Sequence, residues 1–254
     1  MNELATIKKS EFAAFDGKNP VVIAMQQNLE STGETLRPSD ITRVKTPSQG
    51  GLKWTIPTAA GDTVVDTIDG LLVYYQPCGV LWPSDEPSEG ILPVLRTLNP
   101  VAPDATAEQV GPIPPDMAET LEKYRIDETT YRWSDLPYNQ FGSGKGGFGK
   151  RCKEQRMLFI LQRASIFPVV VTAQPGSLKS VTGFFRQLAQ ASGGKPYWCC
   201  EISLGLEKAT SKGGQVYSRI VPRLIGTISI KDGEVVKEAW TDKLAGIAHQ
   251  VEAD

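Results

Sequence analysis

Eighteen residues, Asn139 to Arg156, carry the side chains most suited to chemistry: N-Q-F-G-S-G-K-G-G-F-G-K-R-C-K-E-Q-R. Five are glycine, and six are charged, five of those basic. Phe141 and Phe148 stand among them. Glycine lets a backbone bend freely and approach a ligand closely. Lysine and arginine attract phosphate, and an exposed ring offers a face for a base. The combination suits a ligand that has both phosphates and bases. The plain alternative is a solvated hairpin loop.

Two sharper chemistries compete for this segment. Gly144 to Lys150, G-K-G-G-F-G-K, satisfies the G-x-x-x-x-G-K pattern of a phosphate-binding loop. The next residue is Arg151, where magnesium binding requires Ser or Thr. Trp133 to Asn139 is no buried strand, and the residues after the loop look like strand, not helix. Nucleoside triphosphate hydrolysis is therefore not expected. Hydrolytic triads fare no better, since the only histidine is His249. Glu201 and Glu207 share a strand face and form a conceivable carboxylate pair, but each is more simply neutralised by a neighbouring cation. We expect no enzyme activity.

Cys78, Cys152, Cys199 and Cys200 form no C-x-x-C. Adjacent cysteines on a strand point to opposite faces, and zinc needs four ligands. Reduced thiols and no cofactor are expected, although Cys78 with Cys152 stays open as a metal pair.

The chain has 254 residues, 40% hydrophobic and 22% charged, as a globular protein should. No run approaches the ~20 apolar residues of a membrane span. The N-terminus lacks the apolar core of a signal peptide, so a cytoplasmic protein is expected. The net charge is -2. That average conceals a division. Phe141 to Lys231 holds 14 Lys and Arg against 3 acids, while Ser84 to Tyr131 holds 10 acids against 3 bases. Such asymmetry is the sequence signature of an electrostatic binding face.

These groups must be positioned by elements. Residues 1–19 are polar and expected to be a flexible N-terminus. Val21–Met25 suggests a strand, and Glu30–Gly51 suggests loops. Thr63–Gln76 predicts a long strand, bulged or bent at Gly70. The Pro-rich acidic stretch 83–115 is expected to be a surface excursion. Asp116–Tyr124 suggests a short helix with Asp116 as its N-cap. Met157–Arg163 and Phe167–Thr172 predict a hairpin. Ser177–Ala191 predicts a helix capped by Ser177 and ended by Gly193 and Gly194. Tyr197–Glu207 alternates as a strand, Val216–Val221 and Leu224–Ile230 follow, and Glu234–Val251 looks helical.

The order is strand, insertion, strand, strand, helix, strand, strand. It predicts a mainly β fold with α additions: a five-stranded oligonucleotide-binding (OB) barrel with a helix between strands three and four. One domain is expected over 20–231, followed by a C-terminal helix and tail over 232–254. On such a barrel, Tyr217 and Arg219 share a strand face, opposite Val216 and Ile220. Tyr74 and Tyr75 point to opposite sides, so one faces outward. Trp54 and Trp82 lie in partly polar surroundings and are candidate stacking platforms. The candidate binding set is Trp54, Tyr75, Trp82, Phe141, Lys145, Phe148, Lys150, Arg151, Lys153, Arg156, Lys179, Lys208, Lys212, Tyr217 and Arg219.

Several spaced motifs carry a resemblance. They are Asn139–Ser143, Gly147–Lys153 with Arg156, then Pro175, Ser177, Leu178 and Lys179, and finally G-L-E-K-A-T-S-K-G-G-x-x-Y-S from Gly205 to Ser218. Over about residues 52–230 the chain resembles a family of phage and mobile-element single-stranded DNA-binding proteins with an OB-type barrel. The resemblance implies sequence-independent binding of single-stranded DNA during replication or recombination, in the host cytoplasm, alongside replication or recombination proteins and away from membranes. Many members of that family have a Cys pair just before the N-Q-F-G-S block, which with later cysteines would suit zinc. This chain has Trp133 to Tyr138 there, so zinc is not carried over. A nucleic-acid-processing enzyme, a nuclease accessory and a phage structural or interaction protein remain the alternatives.

Overall fold

In a computed structural model, residues 4–16, 18–19, 23–24, 27, 31, 37–58, 60–84, 90–211 and 213–247 are described. They form two compact units. Unit 1 comprises residues 1–75 and 157–254, and unit 2 comprises 76–156. The boundaries fall inside two strands, β5 (Ile68–Leu81) and β9 (Cys152–Leu161).

Unit 1 is built around the apolar stretches of β5, β9 and β10 (Val169–Ala173). After β10 comes helix α2 (Leu178–Ala191), then β11 (Cys200–Thr210) and β12 (Val216–Thr227). β9 pairs with both β5 and β10. β11 runs antiparallel to β5 and to β12. The predicted order, with its helix between the third and fourth strands, is therefore present. Ile68, Leu72, Leu158, Ile160, Ile202 and Leu204 alternate inward, and Val181 and Leu188 of α2 cover them. On β5 and β9 the other face is buried as well, through Leu71, Val73, Phe159 and Leu161, so these strands read as continuous apolar runs.

The closed five-stranded barrel is not what forms. Closure would require β10 to meet β12. Among the described residues, β10 instead pairs in parallel with β2 (Thr42–Val44), and β12 with β1 (Ala5–Thr6). Both added strands are too short to show a period. Part of the stretch expected to be flexible is packed: Phe12 is fully buried, with the Arg163 guanidinium 5.5 Å above its ring. β3 (Trp54–Ile56) and β4 (Thr63–Val65) form a separate hairpin. Against β11 the register runs through Gly70 without a shift. Gly70 admits the β9 backbone, because a Cβ there would collide with the Leu161 carbonyl.

The predicted C-terminal helix is three pieces: α3 (Ile230–Val236), a π turn at Lys237–Thr241, and α4 (Asp242–Ile247). Thr241 anchors the π turn, its hydroxyl donating to the Val73 carbonyl at 2.6 Å. The strand expected at Val21–Met25 lies largely outside the described residues, and Ile23 and Ala24 within it are helical.

Unit 2 contains the end of β5, then β6 (Leu95–Thr97), β7 (Thr106–Gln109), α1 (Pro115–Glu122), β8 (Thr130–Arg132) and the start of β9. β5, β6, β7 and β8 pair successively antiparallel. The stretch 83–115 thus supplies two strands in addition to surface. Leu81, Leu95, Met117, Leu121, Tyr131 and Trp133 form a core of their own. α1 starts at Pro115, whose fixed φ suits a first helical residue, so Asp116 lies inside the helix and does not cap it. Among the described residues, no helix is long and apolar enough to cross a membrane.

Candidate functional site

The glycine-lysine segment of unit 2 is an internally bonded loop. It contains two single 3-10 turns, Pro137–Asn139 and Lys145–Gly147. The Gly142 and Gly144 amides both donate to the Gly149 carbonyl, at 2.7 and 3.3 Å. The Ser143 hydroxyl lies 2.8 Å from the Tyr138 carbonyl and accepts from the Arg151 amide at 3.0 Å. Gly142, Gly146, Gly147 and Gly149 hold positive φ, which explains the glycine density. The product is a tight loop that displays Phe141 at 83% and Phe148 at 70% exposure. These are the two most exposed large hydrophobic side chains among the described residues.

The cations around it divide. Lys145 is exposed between the two rings in sequence. Lys150 is held by Asn139 Oδ1 at 3.3 Å and Glu154 Oε1 at 3.1 Å. Arg151 donates to the Pro83 carbonyl at 3.0 Å and covers the Tyr138 ring at 5.2 Å. Lys153 Nζ donates to the Lys150 carbonyl at 2.7 Å. Arg156 is only 8% exposed and donates to its neighbour's carbonyl, that of Gln155. Arg156 is therefore corrected from phosphate contact to buried residue, and Arg151 to an anchor of the loop. Both lie where the chain becomes β9 and is packed. Trp82 is half-buried. Lys150 leads into a strand, not a helix, so the context of a nucleotide-hydrolysing phosphate loop is missing.

In unit 1, Trp54 is corrected outright. It is fully buried, and its Nε1 donates to the Leu204 carbonyl at 2.8 Å. β3 alternates, with Trp54 and Ile56 inward and Thr55 outward. The polar neighbours that suggested exposure occupy the other face. Tyr75 is half-buried, its ring 3.9 Å from that of Phe185, so one face is already taken. Tyr217 and Arg219 do share a face of β12, across from Ala209 and Glu207. Arg219 is paired with Glu207. The Tyr217 ring lies against Gly176, where a Cβ would come within 2.5 Å of it. Lys179 and Lys208 are exposed. Lys212 lies outside the described residues.

The two acids of the conceivable carboxylate pair, Glu201 and Glu207, have partners. Glu201, 3% exposed, accepts from Arg163 Nε and Nη2, both at 2.8 Å, and Arg163 also meets Glu11. That bonding, to Glu201 first, raises the Arg163 pKa and fixes its charge. Glu201 and Glu207 are thus each neutralised by an arginine, as the simpler reading of the sequence expected.

All four thiols are free and buried. Burial pushes Cys78 up to about 12 and Cys200 up to about 11. It also raises Cys152 and Cys199. Among the described residues no three His, Cys, Asp or Glu side chains cluster to hold a metal. His249 lies outside them.

One basic surface escaped the sequence reading. Arg43 and Lys45 belong to the stretch expected to be loops, yet they line a groove beside β10. Three strand residues give too little alternation to be noticed. No protein-family model, curated protein or solved structure matches this chain.

Proposed function

We propose that this protein binds single-stranded DNA with little sequence preference and has no catalytic role. The observation that carries the reading is the display of Phe141 and Phe148 on a loop bonded to itself. Burying a phenylalanine contributes about 1.5–3 kcal/mol. Two rings held in water by an ordered backbone forgo that gain. Stacking on unpaired bases recovers it, whereas a duplex hides its base faces. Lys145, between the rings in sequence, supplies charge for the adjoining phosphates.

The strand order of unit 1 supports the same reading. β5, β9, β10, β11 and β12, with α2 after the third, follow the OB order, and four of the five pairings of such a barrel are made. We read unit 1 as an OB-like sheet whose closing pair is replaced by the parallel additions β1 and β2. The resemblance to the phage and mobile-element family supports a role in replication or recombination.

The test is fluorescence anisotropy of a labelled oligothymidylate, titrated with wild type and with Phe141→Ala/Phe148→Ala at two salt concentrations. Wild type should bind, and the folded double variant should bind at least tenfold more weakly at both. Equal binding by the two proteins would remove the loop from the interface.

A further inference from the structure

The aromatic loop of unit 2 is short of side chains that could hold it in place. Between Gln140 and Lys150 stand five glycines and only four other residues, Phe141, Ser143, Lys145 and Phe148. Glycine loses more backbone freedom on ordering than any other residue. Rings carried on a loose segment of this composition would have to be ordered each time a ligand binds, and that ordering subtracts from affinity. Backbone bonds oppose the loss in part. The Gly142 and Gly144 amides meet the Gly149 carbonyl, and the Gly147 amide donates to the Gly144 carbonyl at 3.0 Å. These bonds join the loop to itself.

Ser143 makes the connection outward. Its hydroxyl lies 2.8 Å from the Tyr138 carbonyl and 2.7 Å from the Gln140 carbonyl, so its one proton has an acceptor on either side. Its oxygen accepts from the Arg151 amide at 3.0 Å. One side chain thus bridges the residues that enter the loop and the residue that leaves it. Both ends are themselves fixed. The Arg151 guanidinium covers the Tyr138 ring at 5.2 Å, donates to the Pro83 carbonyl at 3.0 Å and meets Met117 Sδ at 3.5 Å. Met117 is fully buried in the core of unit 2, and Cys152, the next residue after Arg151, belongs to that core too. Phe141 stands two residues before Ser143, and Phe148 three residues before Arg151. The rings therefore flank the bridge.

We infer that Ser143 is the positioning residue of the DNA-binding loop: its hydroxyl clasps the two ends so that Phe141 and Phe148 are held ready before a base arrives. This rests on the DNA-binding reading above. The clasp acts through the rings, by removing an ordering cost, and not through contact with DNA.

The test is a double-mutant cycle on the full chain, read by anisotropy of a labelled oligothymidylate. Ser143→Ala should weaken binding about two- to tenfold, the range set by the net contribution of one such hydrogen bond. In the Phe141→Ala/Phe148→Ala background the same substitution should change affinity by less than about twofold, because the rings it positions are gone. Ser143→Thr keeps the hydroxyl and should bind as wild type does. Circular dichroism and thermal melts check folding. Amide hydrogen exchange reads the clasp without DNA: the Arg151 amide should exchange faster in Ser143→Ala and at the wild-type rate in Ser143→Thr. Wild-type affinity in folded Ser143→Ala, or an equal loss with and without the rings, would overturn the inference while leaving the DNA-binding reading intact. Unchanged exchange of the Arg151 amide in Ser143→Ala, or a Ser143→Thr variant as weak as Ser143→Ala, would overturn it too. Failure of wild type to bind the oligonucleotide would overturn both readings.

Discussion

Phe141 and Phe148 were legible because they fit no periodic pattern. They lie among glycines and lysines, where neither a strand face nor a helical stripe accounts for them, and both prove exposed. Replacing either by alanine should cost about 1–3 kcal/mol of binding. The loss should persist at high salt, where charge contributions have faded. Anisotropy titrations at low and high salt would check this. The neighbouring cations were less legible, because residue type does not reveal partners. Lys150 looks like a phosphate ligand but is already tied to Asn139 and Glu154. Lys150→Ala should therefore change affinity only modestly, and a coupled assay should find no magnesium-dependent ATP turnover in wild type. Trp54 was misread for a related reason: its polar sequence neighbours lie on the opposite face of a three-residue strand.

At the scale of elements, long periodic segments were readable and short ones were not. The run of β9, the alternation of β11 and the stripe of α2 all appear where they were expected. β1, β2, β6 and β7 span two to four residues and show no period, yet β1 and β2 occupy the edges that a closed barrel would join. Ser177 shows how an element can be located correctly while the role of a residue is missed. It precedes α2 but makes no side-chain cap. Its buried hydroxyl accepts from the Ile220 amide of β12 at 3.0 Å. Ser177→Ala should cost about 1–3 kcal/mol of stability by leaving that amide unsatisfied. Urea denaturation would measure the loss.

Buried thiols add a pH dependence at the same scale. Cys200 is pushed up to about 11 and Cys78 to about 12, chiefly by desolvation. In the unfolded chain thiols ionise near about 8.5. Above that pH the unfolded state holds fewer protons than the folded one, so stability falls as pH rises towards the folded values. Urea midpoints should drop between pH 8 and pH 10, and a folded Cys200→Ala variant should show a shallower drop. An unchanged midpoint in wild type would contradict the burial of these thiols.

Over the whole molecule, the second unit was the least legible feature. Its core draws on the Pro-rich acidic stretch, whose apolar residues are too sparse to show a pattern. The charge division was plain in sequence, but much of it serves the fold. Arg163, Arg219, Lys150 and Arg151 all have protein partners. Lys145, Lys179 and Lys208 are exposed. A binding mode in which many cations serve the fold depends on stacking, and stacking requires unpaired bases. The most direct measurement is therefore a competition. A labelled single strand bound to the protein is challenged with the same unlabelled sequence, either single-stranded or as its duplex. The account expects the single strand to displace the label at much lower concentration than the duplex. Equal or better displacement by the duplex would contradict it.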